Sequence, residues 1–521
     1  MSKTFHSRHD AYMYIIGIDI GTSGTKAIAF DHAGKMVARA AVSYGVLPAA
    51  TGYHEQDPDL LFDAFTGVLK NITAKLPPGS IAGVCCSCAM HSLIAVNSGH
   101  EPLTNVITWA DNRSAQDAAI IKAGPLAKRL ALETGTPVHP MSPLCKLVWL
   151  RKHQPELFIS AAKFISIKEY IFFRLFEEYV IDHSMASATG LFNVHTRQWH
   201  PEALLTAGIT PIQLSKPVAC HTVLKGLKQQ MAVATGLDAQ TPFIIGATDG
   251  CLATTGSRAV HTGDCSLTIG TSGAVRMLTE KPQQQFDTLF NYILNDKVYV
   301  SGGPISNGGI VLQWFAENFL NRKLSEDNDM IWFAEMAEEA GHGAEGLLFL
   351  PYLLGERAPV WDAHASAVFF GIKAQHRPHH FMRAIMEGIS FALLQVMELL
   401  EKSAGPARSI YCSGGFTRSP LWLQWMADCF GKPMIVSGTG DASATGAAMM
   451  GWEAVGQPTK FHQQWESSVT YFPDDKATAV YQKMYPVYCT LYASLKEQFS
   501  TLSQVVTESN EVKQESFNSI T

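Results

Sequence analysis

The pentapeptide IGTSG occurs twice in this 521-residue chain, at 20–24 in YIIGIDIGTSGTKAIAF and at 269–273 in CSLTIGTSGAVRML. Each copy closes one apolar run and leads into another. A turn of small residues lets the backbone approach a ligand closely. Its successive N–H groups form a concavity suited to phosphate oxygens, and Thr and Ser add hydroxyl donors. One copy alone reads better as an ordinary hairpin turn. Two copies in matching contexts point to two similar domains, with a nucleoside triphosphate in the cleft between them. The copies diverge at one position: Asp19 stands two residues before Gly21, whereas Thr268 holds the equivalent place in the second copy. Magnesium prefers oxygen ligands and keeps several waters, so Asp19 marks the first copy as the metal side. Lys26, just beyond that turn, is either a counter-charge for phosphate or a solvated strand residue.

The surrounding pattern supports a duplication. The runs at 13–20, 25–31 and 34–44 read as an antiparallel meander joined by tight turns. A helix follows near 57–76, with Asp57 as N-cap and Pro58 in the first helical position. Strands near 81–88 and 91–97 come next, then helices at 142–153 and 167–176. The second half repeats the opening with strands at 265–270, 274–278 and 297–303. Helices follow near 308–320, 327–340 and 379–402. After them come a strand at 409–416, a helix at 419–430, a strand at 432–438 and a small-residue helix at 441–455. The division expected is one domain over 12–256 and a second over 257–500, with a hinge near 256–263. Residues 1–11 and 502–521 are expected to be polar tails.

Composition removes several classes. With 47% hydrophobic and 17% charged residues the chain is globular. A formal net charge of −6 and no basic block argue against nucleic acid or an anionic membrane as the partner. The N-terminus carries no apolar core followed by a small-residue cleavage site, and no run is long enough to span a bilayer, so a cytoplasmic location is expected. The CCSC at 85–88 could be half a zinc site or a redox pair, but it lies in an apolar strand with no second cysteine pair nearby, so buried structural thiols are expected. There is no G-x-x-x-x-G-K-[ST], no protein-kinase motif set, and no G-x-G-x-x-G linking strand to helix.

Several stretches resemble the FGGY carbohydrate kinases: GIDIGTSGTKA, MSPLCKLVWLRKH (141–153), LPYLLGERAPVWD (350–362), AVFFGIKAQHRPHHFMRAIMEG (367–388) and CSGGFTRSPLWLQWMAD (412–428). The resemblance runs in order from about 13 to 455. It implies an α/β fold of two actin/hexokinase-like (ribonuclease H-like) domains around a central ATP/sugar cleft. AMHSLIAVN (89–97), PLTNVITWADNRS (102–114) and GGPISNGGIVLQW (302–314) resemble most the members that phosphorylate gluconate at its 6-hydroxyl. A kinase for a neutral sugar such as xylulose and a non-catalytic actin-like ATP switch remain as alternatives.

The resemblance also implies roles. Asp249, in IIGATDG, matches the catalytic base and follows the apolar strand TPFIIGATD, although without the resemblance its Asp-Gly reads better as a simple turn. Met90, His91, Trp109, Asp111, Arg113 and Gly250 match the acceptor side. Arg113 or His91 is expected to face the gluconate carboxylate, with Arg113 alternatively a structural partner of Asp111. Gly21, Thr22, Ser23, Lys26, Gly270, Thr271, Gly309, Gln313, Gly414 and Gly415 match ATP positions. Ser419 stands where some relatives carry Asn, which leaves no adenine contact assigned there. Mg2+ would bridge the phosphates beside Asp19 and Asp249. The partners implied are ATP and a small sugar acid, with no nucleic acid and no membrane, and a homodimer is left open. The His379-His380 pair is expected on the surface.

Overall fold

A computed structural model describes residues 13–48, 50, 52–283, 288–323, 329–436, 441–457, 461 and 468–518. The chain forms two compact units that are not consecutive halves. The first comprises Met1–Thr262, Met277–Ser301 and Gly438–Ser467, and the second Gly263–Arg276, Gly302–Ser437 and Ser468–Thr521.

The first unit is built on a six-stranded sheet. Its order is Val223–Leu224, Phe243–Thr248, Ile81–Cys88, Tyr14–Ile20, Gly24–Phe30, Met36–Ser43. The first three strands in sequence form the expected antiparallel meander, with Asp19 opposite Lys26. Ile81–Cys88 lies parallel to Tyr14–Ile20, and Phe243–Thr248 lies parallel to Ile81–Cys88. The central strand is covered on both faces, which explains why its apolar run is continuous. Ile16, Ile18 and Ile20 cluster with Phe62, Phe65 and Leu69 of the helix Pro58–Thr73. Ile15, on the opposite face, clusters with Ala444, Ala448 and Trp452 of the helix Ala442–Ala454. Burying each large apolar side chain contributes about 1.5–3 kcal/mol.

Small residues decide the second of these faces. A Cβ on Gly17 would lie 2.1 Å from the Ala444 carbonyl oxygen, and one on Gly446 would lie 1.9 Å from that of Leu252. The helix Ala442–Ala454 therefore sits backbone-close on the sheet and on the helix Asp249–Gly256, which draws a late stretch of sequence into the first unit.

The helix starts follow their caps. Asp57 accepts from the backbone N–H groups of Asp59 and Leu60, with Pro58 in the first turn. Ser142 accepts from Cys145 N ahead of Pro143–His153. Ser166 and Glu169 form a reciprocal capping box ahead of Ile167–Phe176.

The second unit repeats the plan. The second sheet has seven strands in the order Phe290–Ile293, Tyr299–Ile305, Gly273–Thr279, Asp264–Ile269, Ser409–Ser413, Met434–Val436, Val469–Tyr471. Asp264–Ile269 runs parallel to Ser409–Ser413, with Thr268 opposite Ser413. Helices Gly309–Phe319, Pro378–Ala404 and Pro420–Phe430 follow the expected pattern. Among the elements that carry no sequence expectation are the strands Phe290–Ile293, Leu348–Leu350, Val368–Phe370 and Val469–Tyr471 and the helix Asp475–Asn518. The stretch from 502, expected as a polar tail, continues that helix to Asn518; residues 1–11 and 519–521 lie outside the described residues. His380 is only 6% exposed, and its Nδ1 accepts from Arg377 N at 3.0 Å, so the surface reading of the histidine pair fails for this residue. Among the described residues no helix is long and apolar enough to cross a membrane.

Candidate active site

In the first unit three parallel strands end level with one another. Ile20 and Thr248 both pair with Cys88 of the middle strand. Ligands of open α/β sheets bind outside such carboxyl ends. Asp19 stands at the end of one outer strand, and Asp249 follows Thr248 at the end of the other. Two strand spacings separate them, roughly 10 Å of backbone. The chain leaving the middle strand runs between them: Ala89 N donates to Ile20 O at 2.8 Å, and Met90 and His91 follow.

Asp249 opens the helix Asp249–Gly256, where the positive end of the helix dipole favours a carboxylate anion. Its Oδ1 accepts from Gly250 N at 2.7 Å. Thr248 caps the helix, accepting from Cys251 N, and is itself held by Ser184, whose Oγ accepts from Thr248 N at 3.2 Å. Below it, Lys168 donates to the Ala247 carbonyl at 3.3 Å and to Asp182 at 2.6 Å.

Asp19 accepts from Ser87 Oγ at 2.9 Å. Burial pushes its carboxyl above the usual range, opposed by the Ser87 bond and the charge of Lys26 and reinforced by Asp441. Among the described residues no three His, Cys, Asp or Glu side chains gather into a metal cluster. A single strand-end carboxylate fits Mg2+ held by one protein oxygen, phosphates and waters, and does not fit an all-protein cage. The second unit shows the divergence read from the sequence. Thr268 occupies the place of Asp19 and shares a hydrogen bond of 3.0 Å with Ser413, where Asp19 bonds Ser87.

The first glycine turn is tied from several sides. Gly21 N donates to Gly24 O at 3.0 Å, and Tyr44 OH donates to Gly21 O at 2.6 Å. Gln56 Nε2 donates to Thr22 O at 2.7 Å, and Trp109 Nε1 donates to Thr22 Oγ1 at 2.9 Å. Ser23 is exposed. Lys26 pairs with Asp441 at 3.3 Å, as does Arg39, so it is a strand residue with a fixed carboxylate partner.

In the second unit Gly270 N donates to Ser272 O at 2.8 Å, and Gly270 O accepts from Gly309 N at 2.7 Å. Thr271 O accepts from Gly308 N at 3.1 Å. The turn thus packs on the start of the helix Gly309–Phe319, where a Cβ on Gly309 would lie 2.9 Å from Gly270 O. Gln313, further along, is exposed and donates to Glu317. Gly414 has φ 102°, and a Cβ there would meet the Ile269 carbonyl oxygen at 2.3 Å; Gly415 opens the following short turn. Ser419 caps the helix Pro420–Phe430, accepting from Trp422 N.

On the acceptor side the structure brings together two loops. His91 has φ 67°. Its Nδ1 lies 2.7 Å from Ala188 O, which makes Nδ1 the donor and leaves Nε2 to accept from Tyr292 OH at 3.3 Å. Met90 packs against the first unit's core. Asp111 is fully buried and accepts from His54 N at 2.7 Å. Arg113 donates to Asp111 through Nε at 2.8 Å and Nη2 at 2.7 Å, and also to Glu55. Its charge is therefore matched by two carboxylates. Between the loops, Lys146 donates to the carbonyls of His91 and Thr108.

Sequence reading missed Lys146, Asp441, Tyr292 and the paired Ser87 and Ser184. Lys146 lies in the 141–153 stretch, Ser87 in the CCSC and Asp441 at the start of the 441–455 helix, each singled out for another reason. The CCSC cysteines are buried in the strand Ile81–Cys88, and burial pushes the Cys86 thiol up to about 12.

Models of the FGGY family of carbohydrate kinases match this chain twice, the N-terminal domain over 14–256 and the C-terminal domain over 265–455. A gluconokinase of Bacillus licheniformis is 38% identical over 94% of this chain and 98% of its own length. A crystal structure of gluconate kinase from Lactobacillus acidophilus superposes with a TM-score of 0.89 at 36% identity, covering 94% of this chain and 99% of that one. A structure described as ligand-bound xylulose kinase from the same organism gives the same TM-score and identity, covering 94% and 100%. With both domain models matched in order across most of its length, the chain belongs to the FGGY family of carbohydrate kinases.

Proposed function

We propose that this carbohydrate kinase transfers the γ-phosphoryl group of ATP to the 6-hydroxyl of D-gluconate. The observation that carries the reading is the end-to-end likeness to a gluconokinase, 38% identical over 94% of the chain. In this reading Asp249 accepts the proton of the acceptor hydroxyl. A new O–P bond forms at that oxygen as the bond from γ-phosphorus to the ADP oxygen breaks, and ADP leaves. In this reading the positive end of the helix Asp249–Gly256 favours the carboxylate form that a base needs. Met90, His91, Trp109 and Gly250 line the acceptor side, with Asp111 and Arg113 bracing the Trp109 loop. Gly21, Thr22 and Ser23 serve the phosphates, and Asp19 is the residue that would hold Mg2+, which supplies charge neutralisation when bound. Gly270, Thr271, Gly309, Gln313, Gly414 and Gly415 are assigned to ATP. The enzyme is placed in the cytosol.

Xylulose is the second reading, favoured by the equal structural likeness to a protein described as xylulose kinase. Coupled ADP release over gluconate, xylulose, glycerol and ribulose separates the two. Turnover with xylulose and none above the water background with gluconate overturns the substrate. Asp249→Asn should lower kcat by at least about 100-fold, in line with loss of a general base; full activity removes Asp249 from that role.

A further inference from the structure

Lys146 lies on the helix Pro143–His153 and is completely buried. Its Nζ donates to three backbone carbonyls: His91 at 2.6 Å, Thr108 at 2.7 Å and Ile107 at 3.3 Å. An ammonium has three N–H donors and no acceptor, so these three oxygens saturate it. No carboxylate oxygen lies within 4 Å among its described partners, in contrast to buried Lys168, which is paired with Asp182. A lysine kept buried on carbonyls alone is costly as a stabilising device, and it is the carbonyls that indicate its use. One belongs to His91; the others lead directly into Trp109, Asp111 and Arg113.

We propose that Lys146 is a positioning residue for the acceptor, a three-point clamp that fixes the 89–92 loop against the 107–113 loop. The inference rests on the acceptor-side assignment made above. His91 is the residue that needs the clamp most. Its left-handed backbone, at φ 67°, is strained and persists only where the surroundings over-determine it. The ring bond to Ala188 fixes the side chain, and Lys146 fixes the carbonyl. On the other loop, holding Ile107 O and Thr108 O sets where Trp109 emerges, and Trp109 then reaches Thr22. The clamp thereby holds the loop that carries His91 and the loop that carries Trp109 at a fixed separation.

The clamp needs the proton. Burial pulls the Lys146 pKa down to about 7, with Asp111 and Cys145 opposing and Arg113 reinforcing. His54 is a further titratable group within electrostatic reach. A neutral amine has two donors and a lone pair, so one of the three carbonyls would lose its bond as pH rises.

The test is Lys146→Gln assayed by coupled ADP release, using whichever of gluconate or xylulose gives turnover. Failure of gluconate alone then counts against the substrate reading and leaves this one standing. The expected result is an acceptor KM raised by about tenfold or more, with kcat within about threefold and the ATP KM unchanged. Equal changes in both KM values, or none, in a variant that keeps the parent circular dichroism spectrum overturn the proposal. If the variant does not fold, the parent protein decides it. Its acceptor KM should rise from about pH 6.5 to 9 while the ATP KM stays level. An acceptor KM that is flat or moves in step with that for ATP overturns it.

Discussion

Replacing Arg113 by Gln separates a substrate ligand from a structural ion. The Arg113 side chain is 4% exposed and Asp111 is 0% exposed. The guanidinium gives Asp111 two bonds, at 2.8 and 2.7 Å, and stacks 3.9 Å above the Tyr53 ring. After substitution Asp111 keeps only the backbone donors His54 N at 2.7 Å and residue 113 N at 3.1 Å. Removing one partner of a buried pair costs about 3–5 kcal/mol because the other charge stays desolvated. The two remaining N–H groups place the expected loss near the lower end, about 3 kcal/mol. At about 2–4 °C per kcal/mol for domains of 150–250 residues, Tm should fall by about 6–12 °C. Differential scanning calorimetry without ligands measures this, alongside KM for acceptor and ATP. A Tm within about 2 °C of the parent, together with an acceptor KM raised about tenfold, would refute the reasoning and put the guanidinium on the substrate.

Two further outcomes follow from burial. Gly446→Ala places a methyl group 1.9 Å from the Leu252 carbonyl oxygen, a backbone atom that no rotamer change moves aside; a loss of at least about 1–3 kcal/mol is expected by urea denaturation, and an unchanged midpoint refutes the packing. Glu356 accepts from Arg357 N, Ser306 N and Asn307 Nδ2, and burial pushes its pKa up to about 7. Its folded-state pKa exceeds the unfolded value, so between about pH 4.5 and 7 the unfolded chain gives up the proton first. Its contribution to stability is therefore lost as pH rises through that window. Glu356→Gln should flatten the fall in Tm over that range, and an identical pH slope in parent and variant counts against it.

Much of the secondary structure was legible because its causes are local. Asp57-Pro58, Ser142-Pro143 and the Ser166/Glu169 box each place a helix start by hydrogen bonds spanning two or three residues. The continuous apolar run at 14–20 marked a strand covered on both faces, and the IGTSG repeat pointed to a duplicated plan. The long helix Asp475–Asn518 escaped notice because its sequence is polar on balance and holds Pro486, so neither periodicity nor composition announced it. Within the candidate site, the strand-end setting of Asp19 and Asp249 followed from strand and turn signals together.

The sequence by itself determined which residue types stand at the strand ends and glycine turns, since those depend on alternation, caps and backbone freedom. Only the tertiary structure decided which charges are available. Lys26 is engaged by Asp441, 415 positions away, and Arg113 by Asp111 and Glu55, while the buried Lys146 is left with carbonyls alone. Such pairings depend on which distant segments share a face of the sheet. For Lys26 and Asp441 that is set by how closely the glycines at 17, 256 and 446 let the helix Ala442–Ala454 settle onto early elements, a property of packed surfaces that no short window of sequence contains.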